Sequence, residues 1–157
     1  MIIQISKRIS LTLPENYQKI ELPFFDEWIT ALKSGEYKQG GGKLCNFDDD
    51  PRSYCCLGVL VDVCLQKSKR LPPRKAEITG CYLAEDNPCF SVLGVAGRLP
   101  ESVIIGIGQI LKPELIDYYP DRNHPPVALS RLNDNGSANF EDIAKIIEHV
   151  YCPATIQ

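Results

Sequence analysis

GGGKLCNFDDDPRSYCCLGVLVDVCL, Gly40 to Leu65, is the stretch on which the fold turns. It opens with a glycine run, passes an acidic turn at Asp48-Asp49-Asp50-Pro51, and ends in an apolar segment behind paired cysteines. Cys56, Leu57, Leu60, Val61, Cys64 and Leu65 recur at i, i+1, i+4, i+5, which predicts a buried helix despite the valines. Gly58 stands inside that helix at a cost of about 1 kcal/mol against alanine. A glycine kept there marks close packing by another backbone or by a ligand.

On the N-terminal side, Pro23 is expected to open a helix at its first position, where a missing N–H costs nothing. Phe24, Phe25, Trp28, Ile29 and Leu32 form its apolar stripe, with Trp28 as a core anchor, and Ser34-Gly35 stops it. Residues 1–13 alternate partially (Ile3, Ile5, Ile9, Leu11, Leu13), which predicts a strand or arm ending at Pro14. Residues 15–22 read as a polar connector. The chain therefore divides into an arm, 1–22, and a core, 23–157, within one domain spanning 1–157.

On the C-terminal side, Ile78–Leu83 and Cys89–Val95 read as short β-runs joined through Glu85-Asp86-Asn87-Pro88. LPESVIIGIGQIL, 99–111, reads as a helix with Pro100 at its start. Prolines 113, 120, 125 and 126 then predict an irregular loop over 112–126, long enough to serve as a lid. A short helix at Val127–Leu132 runs into the turn Asn133-Asp134-Asn135-Gly136. Asn139, with Asp142 three residues on, is placed to cap a last helix whose buried face is Phe140, Ile143, Ile147 and Val150. The expected class is α+β: one domain of about four helices packed with a small antiparallel sheet.

Composition narrows the function classes. The 157 residues are 44% hydrophobic and 24% charged, ordinary for a globular protein able to bury about two-thirds of its unfolded surface. A net charge of −3 argues against general nucleic-acid binding. No apolar run reaches the roughly 18 residues needed to span a bilayer, and the N-terminus lacks a signal-peptide core, so a cytoplasmic, non-membrane protein is expected. Seven cysteines are an odd number without zinc-type pairing, and read as small buried hydrophobes; neither metal nor cofactor is expected.

The chemistry-bearing candidates lie beside glycines at helix edges. Gly42-Lys43 is followed by Leu44, and Tyr37 occupies the place of the first glycine, so the Walker phosphate loop fails. Two readings of Gly41, Gly42 and Lys43 remain: a looser anion site or a hairpin turn. The three aspartates lack the alternate ligands of a calcium loop and read as a solvated turn. Tyr37, Gln39, Gly41, Lys43, Arg52, Tyr54, Cys55, Asn133 and Asp134 form the expected ligand-binding set. Amides read a base edge, tyrosines stack on it, and Lys43 or Arg52 holds a phosphate. Asn133–Asn135 serve equally well as helix caps.

Two blocks carry a resemblance. The first is Trp28-x-x-Ala31-Leu32-x-Ser34-Gly35-x-Tyr37-x-Gln39-Gly40 with Tyr54-Cys55-Cys56-Leu57-Gly58-Val59-Leu60. The second is Leu132-Asn133-Asp134-Asn135-Gly136 with Phe140 and Ile143-Ala144. Together, over about 24–64 and 128–148, they resemble a family of small proteins encoded by phages, prophages and some bacteria, largely of unknown function. The resemblance implies a phage accessory role. By analogy of context, that points to a homo-oligomeric anti-defence protein in the host cytosol that sequesters a small cyclic or ADP-ribose-type nucleotide without turnover.

Two other classes stand beside this one. An adaptor that inhibits a host factor would expose Phe24, Phe25 and Trp28. A hydrolase would use Cys55 or Cys56 with His124 or His149, or Asp62 with Asp134.

Overall fold

The apolar run behind the paired cysteines folds into a helix in the computed structural model, which describes residues 1–67, 90–107, 128–134, 136 and 138–155. This helix, α2, spans Cys56–Lys67. Its buried residues run from Cys56 to Val61 and on through Val63, Cys64 and Leu65, nearly the whole circumference. A helix apolar all round belongs at the centre of a fold, and the others gather on it. Cys55 precedes α2, its carbonyl accepting from the Val59 N–H at 3.1 Å and its Sγ from the Gly58 N–H at 3.3 Å. At Gly58 the Leu44 carbonyl crosses so closely that an added Cβ would lie 1.7 Å from its oxygen. The expected close packing is thus by backbone.

Helix α1, Phe25–Lys33, buries Trp28 and Leu32. The Trp28 Nε1–H donates to the Cys56 carbonyl at 2.9 Å, so the core indole has a partner where α1 meets α2. Pro23 is not in the helix. Its N-cap is Phe24, in the left-handed region at φ 61°, because strand β3, Ile20–Leu22, runs up to Pro23 and leaves one residue for the corner. Ser34 is the C-cap, and Gly35 follows at φ 77°, the expected stop.

Helix α3 spans Phe90–Gly97 and α4 Leu129–Asp134; both pack on α2. Helix α5, Phe140–Val150, packs on α1 and begins with the expected capping box: Asn139 Oδ1 accepts from the Asp142 N–H at 2.8 Å, and the Asp142 side chain accepts from the Asn139 N–H.

The class is α+β, with the sheet divided into small pieces. Strands β1 (Ile2–Gln4), β2 (Ile9–Thr12) and β7 (Ile104–Ile107) form an antiparallel sheet in that order. It presses Ile9, Leu11 and Ile105 into the core. Strand β3 runs parallel to β8, Tyr151–Pro153. Strands β4 (Lys38–Gln39), β5 (Cys45–Asn46) and β6 (Ser53–Tyr54) form the third piece, with β6 central, antiparallel to β5 and parallel to β4.

Three elements depart from expectation: Ile20–Leu22, in the stretch read as a polar connector, is strand β3 with Leu22 buried by its pairing with β8, and two later runs change class. Ile104–Ile107, assigned to a helix over 99–111, is strand β7. Val103 and Ile105 are buried while Ile104 between them is exposed, a period of two set by pairing with β2. Phe90–Gly97, overlapping the run assigned to a strand at 89–95, is α3, with Val92 and Ala96 buried one helical turn apart. Short continuous apolar runs carry both periodicities, and the neighbouring element decides between them. The β-run at 78–83, the connection at 85–88, the proline loop at 112–126 with His124, and Asn135 lie outside the described residues.

Candidate functional site

Gln39 ends β4, half-buried, and its side chain reaches two other segments. Its Nε2 donates to Asn133 Oδ1 at 2.9 Å and to the Ala138 carbonyl at 3.0 Å. Its Oε1 accepts from the Phe140 N–H at 3.2 Å, a donor left open at the start of α5. Asn133, 4% exposed, donates through Nδ2 to the Gly40 carbonyl at 2.7 Å and to Asp134 Oδ1 at 3.1 Å. These bonds lock the loop after β4, the end of α4 and the start of α5 into one polar junction.

A cleft of ≈ 350 Å³ opens at this junction, lined by Gln39, Gly40, Gly41, Asn133, Asp134, Gly136, Ala138 and Asn139. Gly41 closes against Asp134: a Cβ there would stand 3.2 Å from the Asp134 Cα and 3.3 Å from its Oδ1. The loop beyond Gly41 is pinned from behind. Asn46 Nδ2 donates to the Gly41 carbonyl at 3.4 Å and to the buried Ser53 Oγ at 3.0 Å, and Ser53 donates to Asp49 Oδ2 at 2.6 Å. The acidic turn is thus anchored by Asp49, although all three aspartates are exposed.

Of the residues expected to bind ligand, the structure brings Gln39, Gly41, Asn133 and Asp134 together in the cleft. The two amides are engaged with the protein, so they build the walls, while the exposed Asp134 carboxylate is the acidic group on the rim. Lys43 is exposed on the Gly41 loop, and Arg52 is exposed with its guanidinium 5.0 Å above the Phe47 ring. The ion pair found among the described residues joins Lys33 and Glu148, and involves neither cation.

Tyr37 and Tyr54 lie elsewhere, edge-to-face with centroids 5.1 Å apart. The Tyr37 hydroxyl donates to Asp62 Oδ2 on α2, and Gln66 Nε2 donates to the same oxygen at 2.8 Å. Burial, and then the Asp62 carboxylate, push the Tyr37 hydroxyl far above its ordinary range. Burial raises Tyr54 as well, with Cys45 adding to it. Asp62 and Asp134 therefore belong to separate polar clusters, not to one acid–base pair.

Cys55 and Cys56 are buried as expected, and that burial opposes their use as a nucleophile. Cys55 is 4% exposed, and burial pushes its thiol up against the opposing hydrogen bonds from the Gly58 and Leu57 backbone. Cys56 is enclosed completely and lies well above the ordinary thiol range, again through burial. An activated cysteine needs the reverse environment, partly exposed and electropositive. Cys45, Cys55, Cys56 and Cys152 are free thiols, whereas Cys64 is disulfide-bonded.

Sequence reasoning missed Gly40, Gly136, Ala138 and Asn139 as cleft residues. The capping box marked the start of α5 but carried no sign of what the cap would face. It also missed a larger cavity of ≈ 640 Å³ where Phe24 and Phe25 meet Leu22, Lys67 and Pro153.

A family model described as a domain of unknown function, DUF8296, matches residues 23–151. The chain belongs to the DUF8296 family. No curated protein and no solved structure matches the chain. The DUF8296 span takes in every cleft residue, while β1, β2 and β3 precede it. Among the described residues, no helix is long and apolar enough to cross a membrane, and no group of histidine, cysteine, aspartate or glutamate side chains is gathered to hold a metal ion.

Proposed function

We propose that this chain is a binding protein that holds a small nucleotide-derived ligand, of cyclic or ADP-ribose type, without turnover. In this reading it acts as a phage-encoded anti-defence protein in the host cytoplasm. The observation that carries the proposal is the prebuilt cleft. Its Gln39 and Asn133 walls are already hydrogen-bonded, so binding does not have to order them. Its volume lies within the usual range for small-molecule sites. Asp134 is suited to accept from ribose hydroxyls or base N–H groups. Lys43, exposed two residues beyond the cleft residue Gly41, is suited to a phosphate.

The test is mass spectrometry of small molecules released by heat from the purified protein after it has been offered a panel of cyclic and ADP-ribose-type nucleotides. Intact nucleotide in stoichiometric amount is expected, falling at least tenfold in Lys43→Ala, whose side chain is exposed, and in Asp134→Ala, with a melting curve to check the loss of the Asn133 Nδ2 bond to its carboxylate. A hydrolysed product, or no bound nucleotide, refutes the proposal.

The second cavity favours one other reading, an adaptor that docks on a host protein. Phe24 and Phe25 are half-exposed there, although Trp28 is fully buried and contributes nothing. A host complex lost in Phe25→Asp and kept in Asp134→Ala would select it.

A further inference from the structure

The hydrogen bonds of the N-terminal hairpin show which way each peptide group of β1 faces. Met1 and Leu13 exchange both of their bonds, the Met1 nitrogen reaching the Leu13 carbonyl at 2.8 Å and the Leu13 N–H the Met1 carbonyl at 2.9 Å. Ile5 donates to the Ile9 carbonyl at 3.0 Å, and the register between them pairs Ile3 with Leu11. Odd-numbered residues of β1 are therefore the hydrogen-bonded positions. Antiparallel pairing alternates, so the N–H and C=O groups of Ile2 and Gln4 point away from β2. Strand β1 is the edge of its sheet, and no further strand pairs with it among the described residues.

Among the described residues, the guards on this edge are its three-residue length and the Met1 ammonium beside it. Ile2-Ile3-Gln4 contains no charge and no proline, and Lys7 and Arg8 lie in the turn beyond it. Ile2 is 73% exposed, and Ile3, on the opposite face, is only partly buried against the core. Thr12 faces Ile2 across the sheet and Ile104 faces Thr12, so the outer surface carries two exposed isoleucines flanking Thr12 in a row that ends at β1. Ile104 is itself 49% exposed.

We infer that β1 is a self-association edge, pairing antiparallel with β1 of a second copy about a two-fold axis at Ile3. That register sets Ile2 opposite Gln4 of the second copy, so each outward N–H meets an outward C=O and the strand is its own complement. The two Ile3 side chains meet on the inner face and complete each other's burial. The two Ile2 side chains lie diagonally across the junction, roughly 7–8 Å apart between backbones and within reach of each other. A charged or proline-bearing strand from another protein would satisfy neither feature. A junction this short buries far less than the roughly 1,600 Å² of a standard stable interface, so the dimer forms with rising concentration. The inference does not depend on the cleft.

Sedimentation and backbone amide exchange on the full chain, across a concentration series, test it. The mass is expected to climb from monomer towards dimer, while the Ile2 and Gln4 amides slow at least tenfold and the Ile5 amide, already bonded within the hairpin, stays as it was. Gln4→Pro deletes one outward backbone donor and no backbone bond to β2, together with the side-chain bonds from Gln4 Nε2 to the Ser6 and Ile9 carbonyls. Ile2→Lys keeps the backbone and puts charge at the junction, so it stands in should the proline variant fail to fold. Both are expected to remain monomeric at concentrations where the parent chain pairs. A monomer at every concentration overturns the inference, and so does a dimer that leaves the Ile2 and Gln4 amides unprotected or survives Ile2→Lys.

Discussion

Replacing Gly58 by alanine tests the central packing of the fold. Judged as a helix position, the change should help, because alanine regains about 1 kcal/mol of propensity. Judged from the tertiary structure, it should hurt. The new methyl would stand 1.7 Å from the Leu44 oxygen, 2.7 Å from its carbonyl carbon and 3.2 Å from its Cα. These are backbone atoms and cannot swing aside as a side chain would. Moving them drags the strand that begins at Cys45 and stretches the Cys55 N–H bond to the Leu44 carbonyl, 3.3 Å in the parent chain. Overpacking costs about 1–3 kcal/mol, and a backbone obstacle puts this site at the upper end. Losing the hydrogen bond adds about 1 kcal/mol. Offsetting the propensity gain leaves a net loss of about 3 kcal/mol, a fall in Tm of roughly 6–12 °C for a chain of this size. Thermal and urea melts measure it. Gly94→Ala is the control, because that glycine lies inside α3 with nothing within 4 Å of an added Cβ; it should raise stability by up to about 1 kcal/mol. A Gly58→Ala protein as stable as its parent would refute the close crossing of Leu44 over α2.

Gln39→Ala removes bonds to Asn133, Ala138 and Phe140, and urea titration should show a loss of roughly 2–3 kcal/mol at about 1 kcal/mol per bond. Alkaline pH should unfold the protein through its tyrosines. Burial, with a smaller contribution from Tyr17, raises Tyr151 to about 12 while its hydroxyl donates to the Val95 and Arg98 carbonyls; Tyr37 is raised further. Because the folded state holds these protons more tightly, stability should be level below pH 10 and fall from pH 10 upwards, and Tyr151→Phe should soften the fall. Alkylation of the native protein at pH 8 should label the half-exposed Cys152 before the buried Cys45, Cys55 or Cys56, as peptide mapping would show; early labelling of Cys55 would contradict its raised thiol.

Much of the helical framework was legible in the residues. The stripe with Trp28, the cysteine-led run of α2 and the Asn139 capping box each carry a local signal, because a helix satisfies its own hydrogen bonds and needs only an amphipathic face and a suitable end. The α+β class followed from those runs and the alternating N-terminus. Gly58 also announced a close approach, though not what approached.

The rest depended on partners distant in sequence. Ile104–Ile107 became a strand because β2 offered an edge, and 90–97 became a helix because α2 offered a face. Gln39 was singled out as a ligand contact, yet it meets Asn133 and Phe140 from the other end of the chain and serves as a strut. Cys55 stands before a helix, where a thiol is often activated, but burial under Leu44 and α2 reverses the sign. A strand needs a neighbour to be a strand, and an amide's role depends on what lies opposite it. The sequence by itself therefore determined where α1, α2 and α5 would form, and the tertiary structure alone decided the class of the ambiguous apolar runs and which polar groups remained free for chemistry.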